Sequence, residues 1–384
     1  MTKRRRIAVI TGTRAEYGII RPVLKAIEAH PQLELVLIVM AQHLSPDFGY
    51  TIREIEQDGF KIAARVETLL SSDSLGGMAR ALGLAIIELT QAIEMIHPDI
   101  TMVTGDRGEM LAGAIVGAHM NIPVAHLHGG EVSGTVDELI RHAITKFAHI
   151  HFVATEQSAQ RIQQLGEDKE RIFIVGAAGL DEIKRGDFLP KDEVLRELGF
   201  DGSKPILLVS QHPVTTEIEE AGQQMWETME AIKELKLQTV LIYPNSDAGG
   251  RKMRQVIEEY LDLPFIRAFK NISRQLYLGI MNVADVMIGN SSSGIIEAPS
   301  FKLPFINIGT RQQGRQRAEN VIDVPYNKQK IVEAIKYVLN NKDFRLALAK
   351  IKNPYDRGMV GPQIARILAT IELDRDLLQK RLRY

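Results

Sequence analysis

The chain has 384 residues, with 47 lysines and arginines against 48 aspartates and glutamates and a formal net charge of −1. That length exceeds what one hydrophobic core usually serves, so two domains are expected, and the balanced charge leaves no footprint for nucleic acid or an anionic membrane surface. The absence of cysteine excludes disulfides, thiolate metal sites and a cysteine nucleophile and suits a cytoplasmic protein, while no run approaches ~18 apolar residues, so neither a membrane span nor a signal segment is expected.

From the N-terminus, the basic cluster Lys3–Arg6 is expected in solvent ahead of a short apolar strand, Ile7–Ile10. The turn Thr11-Gly12-Thr13-Arg14 then leads into a helix ending near His30, the opening unit of a doubly wound α/β domain. It carries neither the full G-x-G-x-x-G pattern nor a P-loop, so neither is assigned. A strand is expected over Leu33–Met40 and helices over Tyr50–Gln57 and Leu75–Ile96. Strands follow at Ile100–Thr104 and Pro123–Leu127, with the small-residue helix Met110–Met120 between them. The alternation continues through strand Ile150–Ala154, helix Glu156–Leu165 and strand Arg171–Val175. Three glycines and a proline within 176–190 read as an interdomain link. One Rossmann-like domain is therefore expected over 1–175 and a second, nucleotide-binding one over 191–361. In the second, strands are expected at Ile206–Ser210, Thr239–Tyr243, Val283–Ile288 and Pro304–Asn307. Helices are expected at Glu217–Glu234, Gly250–Tyr260, Ile272–Met281 and Lys328–Leu339. A last helix, Pro362–Leu378, is expected to pack back on the first domain, and the basic end Lys380–Arg383 to lie in solvent. Regular alternation implies α/β architecture with parallel sheets covered on both faces, and two such domains would face a cleft.

The stretch Gly289-Asn290-Ser291-Ser292-Ser293-Gly294-Ile295-Ile296-Glu297 joins a strand to an expected helix, Gly294–Ser300. Such a turn offers backbone N–H groups, serine hydroxyls and a helix N-terminus to an anion, and two phosphates would suit it. Glu297 is placed to accept hydrogen bonds from a diol such as a ribose. The competing reading is a serine-rich helix cap. His212, at the end of another strand, can donate to a phosphate or leaving-group oxygen. Asn245 and Arg311 put polar groups at two further strand ends, and this recurrence favours one nucleotide site over separate turns. In the first half, Arg14 stands where strand carboxyl ends gather, with a surface ion pair as its alternative. Asp106 directly follows a strand and precedes Arg107, with capping of the next helix as its alternative. Between His126 and His142 lie three acids (Glu131, Asp137, Glu138), three histidines and Arg141, the kind of loop that proton removal and return would need. Gly129 and Gly130 there would let the backbone approach a ligand, and Thr135 or Asp137 could cap a helix. The alternating pairs His126/His128 and His149/His151 would each face one way on a strand. Neither has a standard zinc spacing, and no metal is assigned.

Taken together, TGTRAEYG (11–18), GDR (105–107), HGGEVSGTVDE with IRHAITK (128–146), QHPVTTE (211–217), YPNSDAG (243–249), GNSSSG (289–294) with Glu297, and GTRQ (309–312) resemble the hydrolysing UDP-N-acetylglucosamine 2-epimerases of sialic acid synthesis, over nearly the whole chain. The resemblance implies the glycosyltransferase-B architecture of two Rossmann-like domains, a UDP-sugar substrate, no metal or redox cofactor, and a homo-oligomer, dimer or tetramer. It implies two stages. A base removes the C2 proton and UDP leaves C1, giving 2-acetamidoglucal. Water then adds with inverted stereochemistry at C2, releasing N-acetylmannosamine. Carried over by motif, Asp106 and Asp137 resemble the acid/base carboxylates and His212 the residue beside the diphosphate. Arg14, Asn245, Asn290, Ser291, Ser292, Glu297 and Arg311 resemble UDP contacts, while Glu131, Arg107 and Arg141 support or join the catalytic groups. One departure is His128, where several relatives carry a catalytic glutamate. His128 could do that acid/base work near neutral pH, or Glu131 could cover it. The implied alternatives are the same chemistry on UDP-2,4-diacetamido-2,4,6-trideoxyglucose, a glycosyltransferase of the same fold, and a non-catalytic sugar-nucleotide sensor.

Overall fold

A computed structural model describes residues 4–70, 72, 74–133, 136–245, 247–381 and 383. Lys3, Gly134, the candidate cap Thr135, Ser246 and Leu382 lie outside the described residues. The chain divides into two compact units. The first holds Met1–Glu131, Asp137–Glu182 and Tyr355–Tyr384, and the second Val132–Val136 and Ile183–Pro354.

The first unit is built on strands β1 (Arg5–Thr11), β2 (Leu33–Met40), β3 (Ile62–Val66), β4 (Ile100–Thr104), β5 (Val124–Leu127), β6 (Ile150–Val153) and β7 (Ile172–Ile174). They form one sheet in the order β3-β2-β1-β4-β5-β6-β7, every pairing parallel. Period-two alternation along β1 feeds two cores. Ile7 and Val9 join Tyr17, Leu24, Val360, Ile364 and Leu368 on one face, and Ala8 and Ile10 join Leu89, Ile93, Val103 and Met110 on the other. The second unit uses β8 (Ile206–Ser210), β9 (Gln238–Ile242), β10 (Ile266–Phe269), β11 (Val286–Gly289), β12 (Phe305–Ile308) and β13 (Val321–Val324). Their order is β10-β9-β8-β11-β12-β13, again all parallel. Both sheets are doubly wound, so the expected class holds: α/β with two Rossmann-like units. In each sheet the winding reverses once, between β1 and β4 and between β8 and β11, and the crevice beyond the carboxyl ends at such a reversal is where open α/β sheets take ligands.

The structure departs from the sequence reading at several edges. Arg5 and Arg6 are not a solvated lead-in but the first two residues of β1, and the Arg5 guanidinium donates to the carbonyls of Leu368 and Ile371 at 2.5 and 2.9 Å. The segment 176–190 is not a plain link, since it contains the helix Leu180–Arg185 with Asp181 and Glu182 buried. The C-terminal helix is two pieces, Val360–Thr370 and Arg375–Leu378. The longer one lies against helix Arg14–Ala29, and Gly361 makes that close approach possible, because a Cβ there would stand 2.6 Å from the Pro22 carbonyl oxygen. Lys380 is not solvated either. Its ammonium donates to the carbonyls of Thr145 (3.1 Å) and Ala148 (2.7 Å) and pairs with the fully buried Glu167 at 2.8 Å. Lys146 and His151 reach the same carboxylate, at 2.6 and 3.2 Å. Three donors hold the Glu167 carboxyl down at about 2 in spite of its burial. Among the described residues no helix is long and apolar enough to cross a membrane.

Candidate active site

In the second unit, the carboxyl ends of β8 and β11 are tied together. Gly289 ends β11 with φ 122°, and a Cβ there would lie 2.1 Å from the Ser210 carbonyl oxygen, so only glycine permits the turn. That carbonyl accepts the N–H groups of both Asn290 (3.1 Å) and Ser291 (3.2 Å). Asn290 is fully buried and pairs reciprocally with His212: the His212 N–H donates to Asn290 Oδ1 at 2.7 Å and Asn290 Nδ2 donates to the His212 carbonyl at 2.8 Å. Arg311 and Gln312 donate to the Asn290 carbonyl at 3.2 and 2.8 Å. The Asn290 side chain and carbonyl therefore brace the turn. The Asn245 N–H donates to His212 Nδ1 at 3.2 Å, which places the proton of a neutral His212 ring on Nε2 as a donor. Asn245 also donates to Asp247 at 2.5 Å.

The serine turn differs from its expected form. The helix after it covers only Ser293–Ile296, and a 3-10 turn follows at Ala298–Phe301. Pro299 explains the break, since it disfavours helix in the residue before it and lacks an N–H. With one turn of helix the dipole contributes little, and the first two N–H groups are already used. Within the turn the Ser291 hydroxyl donates to Ser293 at 3.3 Å, and Ser292 is half-buried beside them. Glu297 is buried and bonded to Arg274.

In the first unit, Asp106 follows β4 through Gly105 and is paired with Arg141. It does not cap helix Gly108–His119, whose N-terminus has no side-chain cap. The Arg141 side chain is 5% exposed and that of Asp106 23%, so a buried cation holds a carboxylate that still reaches solvent. Arg141 belongs to helix Val136–Phe147, and Asp137 lies one turn earlier on the same face. His126, inside β5, is fully buried, and burial pushes its imidazole down to about 3. The neutral ring donates from Nε2 to the Gly105 carbonyl at 2.8 Å, pinning the turn that carries Asp106. His128 lies one residue past β5 with φ 64°, so it does not share a strand face with His126. Its N–H donates to the Phe152 carbonyl at 2.9 Å. Gly129 and Gly130 serve packing within the protein: a Cβ at Gly130 would stand 2.4 Å from the Ser158 carbonyl oxygen. Glu131 is 2% exposed, accepting from the Ser158 hydroxyl at 2.7 Å and the Tyr355 hydroxyl at 3.2 Å. Both of its oxygens are engaged in hydrogen bonds within the first unit. Arg14 pairs with Glu54 at 3.1 Å and Arg107 lies 3.7 Å from Glu109. Among the described residues no group of three or more histidine, aspartate or glutamate side chains is arranged to hold a metal ion.

The family model for UDP-N-acetylglucosamine 2-epimerase matches residues 25–369. The chain belongs to that family. A Legionella pneumophila relative described as a UDP-N,N'-diacetylbacillosamine 2-epimerase (hydrolyzing) is 42% identical, with 98% of each chain covered. A Neisseria meningitidis UDP-N-acetylglucosamine 2-epimerase is 38% identical over 86% of each chain. The crystal structure of a Neisseria meningitidis UDP-GlcNAc 2-epimerase bound to UDP-GlcNAc superposes with a TM-score of 0.80 at 18% identity, covering 94% of this chain and 99% of that one, which supports the shared fold.

Arg274 and Tyr277 lie outside every motif quoted above, whereas Glu16 and Thr145 sit within TGTRAEYG and IRHAITK without having been singled out. Glu16, in the first turn of helix Arg14–Ala29, is buried at the carboxyl end of β1. Burial raises its carboxyl to about 8, the charge of Glu109 adds to the rise, and the Thr11 hydroxyl and Arg107 oppose it. The folded state therefore keeps a proton that the unfolded chain releases near 4.5. Between those values the folded state binds more protons, so stability falls as pH rises from about 4.5 to about 8 and is flat above. Glu16→Gln removes this titration. The variant is expected to gain at least about 1 kcal/mol over the wild type between pH 5 and pH 9 in urea unfolding. An unchanged difference across that range would show that Glu16 is ionised in the fold.

Proposed function

We propose that the protein is a hydrolysing 2-epimerase of a UDP-linked 2-acetamido sugar. The observation that carries this is 42% identity over 98% of both chains to a relative described as hydrolysing. The site geometry supports it within each unit. The second offers the nucleotide end: serine hydroxyls at Ser291 and Ser292, a proton on His212 Nε2, and the Glu297 carboxylate for the ribose. These groups can stabilise the charge on departing UDP. The first offers the proton-transfer end: Asp106, held by Arg141, with Asp137 on the same helix face as Arg141 and His128 beyond β5. A carboxylate takes the proton from C2, the C2–H electron pair forms the C1=C2 double bond, and the C1–O bond breaks to release UDP. Water then adds across the glycal, oxygen to C1 and proton to C2 on the opposite face. Glu131 has no proton-transfer role in this scheme.

The favoured sugar is 2,4-diacetamido-2,4,6-trideoxyglucose, the substrate in the description of the 42% relative. This reverses the order reached from motifs alone, which put UDP-N-acetylglucosamine first. The second reading keeps UDP-N-acetylglucosamine, on the strength of the 38% Neisseria meningitidis relative. Proton NMR of the purified protein with each sugar nucleotide in D₂O, without added metal, tests both. UDP release with free sugar of the manno configuration, deuterated at C2, is expected, and faster from the diacetamido substrate. Sugar released with its C2 proton intact from either substrate would overturn the elimination mechanism.

A further inference from the structure

The helix Arg274–Val283 supplies two side chains to the serine turn, and neither belongs to a recognised motif. Arg274 is 7% exposed and its guanidinium donates to Glu297 Oε1. Tyr277 is 9% exposed, and its hydroxyl faces the Ser293 and Ser291 side chains. One helix face thus reaches both the hydroxyl-bearing turn and the acid that follows it.

The placement of Arg274 is costly for its own helix. It occupies the first helical position, where the dipole disfavours a cation. Ser273 already caps this helix, accepting from the Leu276 N–H at 3.2 Å, so Arg274 is not needed to begin it. Burying a guanidinium has to be offset by partners, and Glu297 is a charged one. A carboxylate has two oxygens and can accept several hydrogen bonds. Arg274 takes Oε1, and the pairing fixes the direction of Oε2.

We propose that Arg274 is a positioning residue for ribose recognition: it orients Glu297 so that the second carboxylate oxygen accepts from the ribose hydroxyls of the nucleoside diphosphate, while Tyr277 holds the adjoining serine turn. The inference rests on the nucleotide reading given above. A free carboxylate would rotate and pay ordering entropy on binding, whereas one held by a buried arginine is preorganised.

The test is calorimetric binding of UDP and of 2',3'-dideoxy-UDP to the full chain. The wild type is expected to prefer UDP by at least about 10-fold, because hydrogen bonds from hydroxyls to a carboxylate are charge-assisted. In Arg274→Met that preference is expected to fall below about 3-fold through weaker UDP binding alone, with dideoxy-UDP binding unchanged. Glu297→Gln is expected to do the same, and the double variant to lose no more than either single one. If Arg274→Met weakens both nucleotides by the same factor, or keeps the wild-type preference, the inference is overturned. Arg274→Lys retains the buried charge and serves if the methionine variant does not fold. It is expected to lose part of the preference, and a full wild-type preference overturns the proposal. If the wild type binds no UDP, the nucleotide reading itself fails and this inference with it.

Discussion

Asp106→Asn is expected to lower turnover about 10³-fold while changing UDP affinity by less than about 3-fold, the range in which a lost general acid or base acts. Asparagine preserves the size of the side chain and keeps an oxygen that can accept from Arg141, so the turn after β4 retains its support. What it loses is the capacity to take up and return a proton. The nucleotide groups argued for UDP lie on β8, β11 and the turns that follow, in the other unit, so binding and chemistry separate cleanly in the measurement. Turnover is read as formation of the free epimerised sugar, and affinity by titration with UDP. The stage at which Asp106 acts is read from the products. If it abstracts the C2 proton, UDP release and deuterium incorporation fall together. If it acts in hydration, UDP is still released and the glycal accumulates. Turnover within about 5-fold of the wild type, in a folded variant, would remove Asp106 from the mechanism.

What could be read from the chain was set by how local each signal is. Buried parallel strands such as Leu33–Met40, Ile100–Thr104 and Ile206–Ser210 are continuous apolar runs and stand out. Three strands carry no such run: β3, β10 and β13. Each is an outer strand of its sheet, only partly covered, and carries an interior arginine or aspartate, as in Ile62-Ala63-Ala64-Arg65-Val66. An edge strand needs no apolar run, so periodicity has nothing to detect.

The site shows the same division. Asp106, His212 and the Gly289–Glu297 turn are legible because strand-end chemistry is packed into a few residues. The job each side chain does depends on partners far along the chain. Glu131 looks like a loop acid until Tyr355, 224 residues away, bonds to it. Asn290 looks like a ligand group until His212, 78 residues earlier, occupies both ends of its amide. Gly129 and Gly130 look like a ligand approach until the His126 ring fills the space beside the first and the Ser158 backbone the space beside the second. Arg274 gives no local signal, because a first-turn arginine is ordinary until its burial against Glu297 is known.

The second large effect is on stability and follows from Asp181. This aspartate is fully buried on helix Leu180–Arg185, inside the segment that reads as a linker. Its two oxygens accept the N–H groups of Val360 (2.7 Å) and Gly361 (2.8 Å). Those are the first two residues of helix Val360–Thr370, which has no side-chain cap of its own. One carboxylate thus satisfies two otherwise orphaned donors and sits at the favourable end of the helix dipole. Asp181→Ala leaves both N–H groups buried without an acceptor. The expected cost is about 3 kcal/mol, from two unsatisfied donors and a lost charge-assisted cap. With two units the unfolding need not be two-state, so the measurement is hydrogen exchange of the 360–370 amides alongside urea melts. Exchange is expected to speed by about 10² at those amides. The effect should also reach the chemistry. Val360, Ile364 and Leu368 pack in one core with Tyr17, Ile20 and Leu24 of helix Arg14–Ala29, and that helix begins at the carboxyl end of β1, beside the reversal with β4 where Asp106 stands. Loosening its far side is expected to lower the temperature at which activity is lost, with kcat at 20 °C little changed. An Asp181→Ala protein that melts within about 0.5 kcal/mol of the wild type would show that the cap is replaced by water and that the helix is held by its apolar face alone.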